Sequence, residues 1–246
     1  WQPLLPSVML TAEKPIREVR ILGEDLTVYR DTKGNYGLVG RQCPHRRASM
    51  AYGRVDDEGI RCPYHGWKFA ASGQCLEMPA EPSNSPMKER IRIPAYPVQK
   101  LGGMLYAYLG PAPAPLLPRW DVVAWERGRR WIDVQSMLAC NWLQAMENSV
   151  DPSHLYWLHG VTAHLAREVG HYEEEHEFLP FDYGIMKRRT TPPRKPGDKP
   201  SVDQHPLLFP NTLRHVSKSK VTGRIQHNLQ CRLPVDDTHT QVYVIY

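Results

Sequence analysis

Apolar and polar residues alternate along the first part of the chain. In Ile16-Arg17-Glu18-Val19-Arg20-Ile21 and again in Leu26-Thr27-Val28-Tyr29 the period is two, which predicts short strands with one buried face. Gly23-Glu24-Asp25 separates them, and Thr32-Lys33-Gly34-Asn35 precedes Tyr36-Gly37-Leu38-Val39, so residues 16–40 read as hairpins. Trp67-Lys68-Phe69 then runs into a Ser72-Gly73 turn, and a further strand pair is expected around 90–93 and 104–109. The first part is therefore expected to be a small all-β domain. Gly110-Pro111-Ala112-Pro113-Ala114-Pro115 interrupts the pattern as a semi-rigid spacer and sets the expected domain boundary, 1–115 against 116–246.

Beyond the spacer the period changes. Trp142, Leu143 and Met146 recur at helical spacing and predict a helix over 139–148. Asp151-Pro152 should end it, because the residue before proline disfavours the helical region. A second helix can start there, with Asp151 as N-cap, Pro152 at the first position and Gly160 as terminator. Strands return near 177–178, 184–190 and 212–216. Ile225, His227, Leu229, Cys231 and Leu233 alternate with polar neighbours as a half-buried strand, and a last strand covers 241–246. A long helix packed against an antiparallel sheet makes the second domain, and the whole chain, α+β. The polar, proline-rich run Thr191-Pro192-Pro193-Arg194-Lys195-Pro196-Gly197-Asp198-Lys199-Pro200 reads as a solvated loop or as a lid over a pocket.

Composition narrows the class. With 246 residues, 41% hydrophobic and 23% charged, the chain can bury a sizeable core. No run of 18 apolar residues predicts a membrane span. The chain opens on Trp1 and closes in what reads as an unfinished strand, so both ends are expected to be cut and the second domain incomplete; a missing targeting signal then carries no weight. A net charge of +5, dispersed, argues against nucleic acid as a partner. Of five cysteines, Cys75, Cys140 and Cys231 are scattered and make no disulfide framework, which suits a reducing, cytoplasmic setting.

The remaining two cysteines carry the chemistry. Cys43-Pro44-His45-Arg46 and Cys62-Pro63-Tyr64-His65-Gly66-Trp67 each offer one sulfur and one imidazole. A Rieske [2Fe–2S] centre needs two thiolates on one iron and two histidines on the other, which two such loops can supply. Pro44 and Pro63 stiffen the loops, and Gly66 permits close backbone approach. A zinc site is the alternative, but structural zinc sites usually pair Cys with Cys and His with His, whereas here the types alternate. Arg41, Arg46, Arg47, Arg54 and Arg61 crowd this segment, either as a solvated rim or as a docking face for an acidic electron donor.

The pair CPHR and CPYHGWKF resembles the Rieske signature of the aromatic-ring-hydroxylating oxygenases, terminal (alpha) subunit, in the phthalate and phenoxybenzoate dioxygenase branch. It is less similar to the respiratory Rieske protein, which would imply an extra cysteine in each loop; neither loop has one. The resemblance covers nearly the whole chain. It implies a Rieske domain followed by a catalytic domain with a mononuclear non-haem Fe(II), a ferredoxin or flavin reductase as electron donor, O2 and a small aromatic substrate, and a homotrimer. Relatives that demethylate aromatic ethers or N-methyl groups share the metal set, so demethylation stands as the alternative reaction.

Asp151-x-x-His154-x4-His159 is the second constellation. On an ideal helix two histidines five apart point about 140° apart, so both reach one ion only if the helix unwinds near His159 or the ion sits off its end. Alone, Asp151 could be a cap, His154 a core histidine and His159 a partner of the helix carbonyls. The resemblance of Glu147-Asn148-Ser149-Val150-Asp151-Pro152-Ser153-His154 and Leu158-His159-Gly160 to the family's catalytic helix implies His154 and His159 as iron ligands. It implies catalytic roles for Asn148 and Asp151, the latter bridging His154 and His65 of the partner subunit. The family's third ligand is a carboxylate beyond this sequence; Asp236 and Asp237 are not nominated. For an aromatic carboxylate, Arg188, Arg189, Arg214 and Arg232 are candidate contacts, with His227 as a candidate pocket residue. A Rieske electron carrier without its own catalysis, and a zinc-stabilised binding module, are the competing readings.

Overall fold

The structure is a computed structural model that describes residues 1–162, 173–193, 196–218 and 222–246. Two compact units divide it, Trp1–Gly128 and Arg129–Tyr246. The division falls after the Pro/Ala run because the next segment folds back on the first unit. Val122 and Val123 are buried, and the Val123 backbone sits against Gly102, whose φ is +60.

The first unit is antiparallel β. Its strands in chain order are β1 (Gln2–Pro6), β2 (Ile16–Ile21), β3 (Glu24–Arg30), β4 (Tyr36–Gly40), β5 (Arg54–Val55) and β6 (Ile60–Arg61). Then come β7 (Lys68–Phe69), β8 (Cys75–Glu77), β9 (Ala95–Tyr96), β10 (Val98–Leu101) and β11 (Met104–Ala107). They form three small sheets, β1-β11-β10, β2-β3-β4-β9 and β5-β6-β7-β8. The hairpins expected over 16–40 are present. The strand expected at 90–93 is not: Met87–Arg90 forms a single helical turn (α1), and Arg92 makes only an isolated bridge to Gln74. Pro94 comes soon after, and β11 pairs with β10 and β1 instead. A second short helix, α2 (Asp121–Ala124), closes the unit.

The second unit carries one seven-stranded antiparallel sheet. It contains β12 (Ile132–Val134), then helices α3 (Trp142–Val150) and α4 (Ser153–Tyr156), then β13 (Glu175–Phe181) and β14 (Gly184–Thr191). β15 (Ser201–Leu208), β16 (Thr212–Lys218), β17 (Ile225–Pro234) and β18 (Thr240–Ile245) complete it, in the order β12-β18-β17-β16-β15-β14-β13. α3 starts later than its periodicity suggests because Asn141 caps it, its side chain accepting from the Leu143 N–H at 2.9 Å. Its apolar face rests on the sheet through Met146, packed with Leu207 and Leu213.

β15 was not foreseen from the sequence. Pro200 and Pro206 flank or break its run, and proline cannot donate to a ladder. The structure accommodates Pro206 because β15 pairs with β14 along its whole length but with β16 only at Leu207 and Leu208. β17 is buried on both faces rather than one, since Asn228 and Arg232 are as enclosed as Leu229 and Cys231. Of the proposed lid, Arg194 and Lys195 lie outside the described residues. Among the described residues no helix is long and apolar enough to cross a membrane.

Candidate metal centres

The two Cys/His loops are one structure built twice. Gln42 bridges to Ser49 across the first loop, as Arg61 pairs with Lys68 across the second. In each, the cysteine N–H donates to the carbonyl five residues on: Cys43 to Ala48 at 2.9 Å and Cys62 to Trp67 at 2.8 Å. The N–H four residues on donates back to the cysteine carbonyl, from Arg47 at 2.9 Å and from Gly66 at 3.2 Å. Those fourth residues are both left-handed, Arg47 at φ 58 and Gly66 at φ 75. The sequence hides the equivalence, because histidine falls two residues after Cys43 but three after Cys62.

The loops sort their donors by depth. Cys43 and Cys62 lie in a core cluster with Cys75, Trp67 and Met50. His65 is half-buried and His45 is exposed. The His45 and His65 rings stand 4.6 Å apart, and His45 stacks on Trp67 at 4.5 Å with planes 6° apart. Burial, with the neighbouring Cys62 sulfur, pushes the Cys43 thiol up to about 12, so a cation must offset that cost before it can serve as a thiolate. His65 Nδ1 is buried with no hydrogen-bond partner. Among the described residues no three of His, Cys, Asp or Glu converge to hold a single ion. Thiols paired inside and imidazoles paired outside, with an orphaned ring nitrogen, fit a two-iron cluster better than one tetrahedral zinc.

Arg61 braces the second loop. Its Nη1 donates to the Gly66 carbonyl at 2.8 Å, and its Nη2 reaches Asp56 at 2.7 Å and Glu77 at 2.6 Å. Its side chain is only 13% exposed. Arg61→Ala strands the loop carbonyl and two carboxylates, and should cost about 1–3 kcal/mol of stability. Thermal unfolding of the cluster-loaded protein measures this; an unchanged midpoint would show the brace to be idle. The rest of the basic rim is largely paired too. Arg41 meets Glu18 at 2.9 Å, Arg47 donates to Gln42 at 2.7 Å and Arg54 approaches Asp56 at 3.6 Å. Arg46 is exposed beside His45.

In the second unit, α3 ends at Val150, and the Asp151 side chain caps the first turn of α4. Its carboxylate accepts from the Ser153 N–H at 2.8 Å, the Ser153 hydroxyl and the His154 N–H at 3.2 Å. The Ser153 hydroxyl first, then these backbone donors, hold the carboxyl below the usual range against the opposing effect of burial. Gly160 does not terminate the helix: α4 passes into a π-helical turn, Trp157–Thr162, that runs through it. That wider turn solves the angular problem of a five-residue spacing, since i→i+5 geometry brings such residues toward one face. The His154 and His159 rings are 5.4 Å apart and nearly perpendicular, at 71°. His154 Nδ1 is buried without a hydrogen-bond partner, 3.3 Å from Asp151 Oδ2. Two facing imidazoles with an orphaned nitrogen fit part of a two-histidine, one-carboxylate iron site. Asp236, in a turn, accepts instead from Thr238.

The sequence did not reveal the polar row on the sheet beside the end of α3. Lys187, 4% exposed, donates to the Ser149 carbonyl at 2.9 Å and pairs in register with His205. His205 stacks on His215 across the gap between β15 and β16, with centroids 4.7 Å apart. Burial drives His205 down to about 4 and lowers His215 as well, so both rings are neutral at pH 7. The strand that carries His205 has no apolar alternation, Ser201-Val202-Asp203-Gln204-His205-Pro206, and its prolines concealed it.

The four candidate arginines differ. Arg188 meets Glu177 at 3.0 Å in the open, and Arg189 binds Asp203. Arg214 lies 2.7 Å from His227 Nδ1. Arg232 is 7% exposed, and its guanidinium donates to Gln230, at 2.7 Å to the carbonyl and 3.0 Å to the side-chain oxygen. It lines a cavity of about 400 Å³ with Asn148 and Gln144 of α3.

A β unit that presents two such loops defines a Rieske-type iron–sulfur domain, and residues 1–97 match the family model described as Rieske [2Fe-2S] domain. Over most of its length the chain is also similar to proteins named as oxygenase subunits. It is 44% identical over 231 residues to the 5,5'-dehydrodivanillate O-demethylase oxygenase subunit of Sphingobium sp., covering 91% of this chain and 52% of that protein. It is 33% identical over 257 residues to the phthalate 4,5-dioxygenase oxygenase subunit of Pseudomonas putida, covering 99% and 58%. The chain thus spans about half the length of these curated relatives. The fold matches the solved structure of NdmA with caffeine, from Pseudomonas putida CBB5, with TM-score 0.79 and 20% identity, over 100% of this chain and 72% of that one.

Proposed function

We propose that the protein is the terminal component of a Rieske non-haem iron oxygenase acting on a small aromatic substrate. The observation that carries this reading is the presence, in one chain, of the twin Cys/His loops and a π-widened turn that faces His154 to His159. Cys43, His45, Cys62 and His65 would hold the cluster, and His154 and His159 would hold an Fe(II) completed by a carboxylate. When bound, the cluster would supply single electrons and the Fe(II) would supply oxygen activation.

The chain's own residues prepare these sites. Trp67 fixes the plane of His45 by stacking, and Arg61 fixes the second loop. Asp151 is pinned by Ser153 and the His154 N–H, which keeps its carboxylate ionised beside His154. From there it orients the imidazole. Asn148 faces the cavity near the end of the same helix. Electron supply would come from a ferredoxin or flavin reductase docking at the exposed His45 and Arg46. A homotrimer would let Asp151 bridge to His65 of the partner subunit. None of the five cysteines is in a disulfide, which suits a reducing cytoplasm.

Asp151→Asn should retain both metals but lower coupled oxygen use by about 10- to 100-fold, the usual cost of losing an orienting partner. Iron content and substrate-dependent oxygen uptake measure this, and unchanged turnover would defeat the bridging role. O-demethylation is the second reading, favoured by the 44% identity to a subunit named as an O-demethylase. Product analysis with aromatic acids and their methyl ethers, using the full-length protein and a reductase, separates diol formation from demethylation. Oxygen uptake absent with every substrate would leave the electron-carrier reading.

A further inference from the structure

We propose that Lys187 is a positioning residue for the two-histidine turn: it fastens the last turn of α3 to the sheet and so fixes where Asp151 presents its carboxylate to His154. The inference rests on the oxygenase reading and adds to it a residue outside the ligand set.

α3 passes from apolar to polar ground on the sheet. Leu207 and His205 lie on one face of β15, paired with Ile185 and Lys187 of β14. Met146 packs on Leu207, and one turn further along the helix Ser149 meets Lys187. A helix leaves its last four carbonyls without an internal partner. In α3 the Glu147 carbonyl accepts from the Asp151 N–H at 3.0 Å, and the Ser149 carbonyl accepts from Lys187 Nζ at 2.9 Å. A cation placed there also meets the negative end of the helix. Lys187 is 4% exposed, and this is its one hydrogen bond among the described residues. Enclosing an ammonium for a single bond is costly, and an apolar side chain of similar length would fill the place at less cost if packing were all that was needed. Arg189, next on the same face of β14, is taken by Asp203, whereas Lys187 is left for the helix end. The tie lies two residues before Asp151, whose carboxylate accepts from the Ser153 N–H at 2.8 Å and the His154 N–H at 3.2 Å. A shift at Ser149 therefore reaches His154 through Val150 and Asp151 alone. The charge is felt there as well. Burial first, then Arg189, lowers the Lys187 ammonium, and the carboxylates of Asp203, Asp151 and Glu174 act to keep it charged.

The test uses the full-length, cluster-loaded protein, depleted of mononuclear iron and titrated with Fe(II). The bound iron is then read by the EPR signal of its nitric oxide complex. Lys187→Met keeps the aliphatic stem and removes the donor and the charge. It should leave the Rieske EPR signal intact, weaken Fe(II) binding by about 10-fold and alter the nitric oxide signal, as loss of an orienting partner does. Lys187→Arg, which keeps donor and charge, should recover most of the affinity and the wild-type signal. Asp151→Asn should change both readouts in the same sense. Because Lys187 acts through Asp151, the double variant should differ little from Asp151→Asn alone. Should Lys187→Met fail to fold, Lys187→Gln takes its place, retaining an amide donor without the charge, with the same direction expected. Wild-type affinity and signal in Lys187→Met, with only a lower melting temperature, would overturn the proposal and leave Lys187 as support for the fold. So would fully additive effects in the double variant. Wild type that takes up no mononuclear Fe(II) would instead sink the oxygenase reading, an outcome distinct from a wild-type iron site that is indifferent to Lys187.

Discussion

Cys62→Ser is expected to yield a protein without its iron–sulfur cluster. Cys62 is 4% exposed and its sulfur lies beside that of Cys43, so solvent cannot replace it, and the nearby Cys75 thiol is turned to the Glu77 carbonyl. Serine keeps the size and the backbone bonds to Trp67 and Gly66 but offers a poorly ionised hydroxyl in place of a soft thiolate. The Rieske EPR signal of the reduced protein should vanish and turnover should fall to background. Cys75→Ser is the matched control. Cys75 is equally buried and in the same core, but its thiol donates to the Glu77 carbonyl at 3.6 Å. That variant should keep the signal. A Cys62→Ser protein with an intact signal would rule out the cradle as the cluster's seat.

His154→Ala is expected to abolish turnover while sparing the cluster. His154 is the inner member of the facing pair, with an orphaned Nδ1 and a backbone N–H tied to Asp151. Its loss leaves His159 alone to hold a metal, and no third described donor converges there. Iron in the full-length protein should drop from about three per chain to about two, with the EPR signal unchanged. Three irons remaining in His154→Ala would move the mononuclear site elsewhere, and two irons in wild type would favour an electron carrier.

Much of this was legible in the sequence where the information is local. Cys43, His45, Cys62 and His65 sit in two short segments whose prolines and Gly66 announce loops, and the hairpins over 16–40 arise from period-two alternation. Other features depend on tertiary context. The π-helical turn through Gly160 has no local signature, so a glycine in a helical run reads as a stop. β15 is masked by its prolines and survives because the ladder to β16 does not extend to Pro206. The twin loops are equivalent in hydrogen bonding while their histidine spacings differ, so a linear motif understates their symmetry. Arg232 stands apart from Arg188, Arg189 and Arg214 only because of what surrounds it, and a sequence records residues without their surroundings.

The depth ordering of the cradle bears on traffic. Its sulfur end is sealed by the core of its own unit, whereas the imidazole edges of His45 and His65 are the side open to visitors. If the proposed oxygenase reading holds, charge would come and go through one doorway. A donor resting on those rings would block whatever waits to draw from them, so filling and emptying would take turns, and a partner that lingered there would slow turnover even while supplying it well.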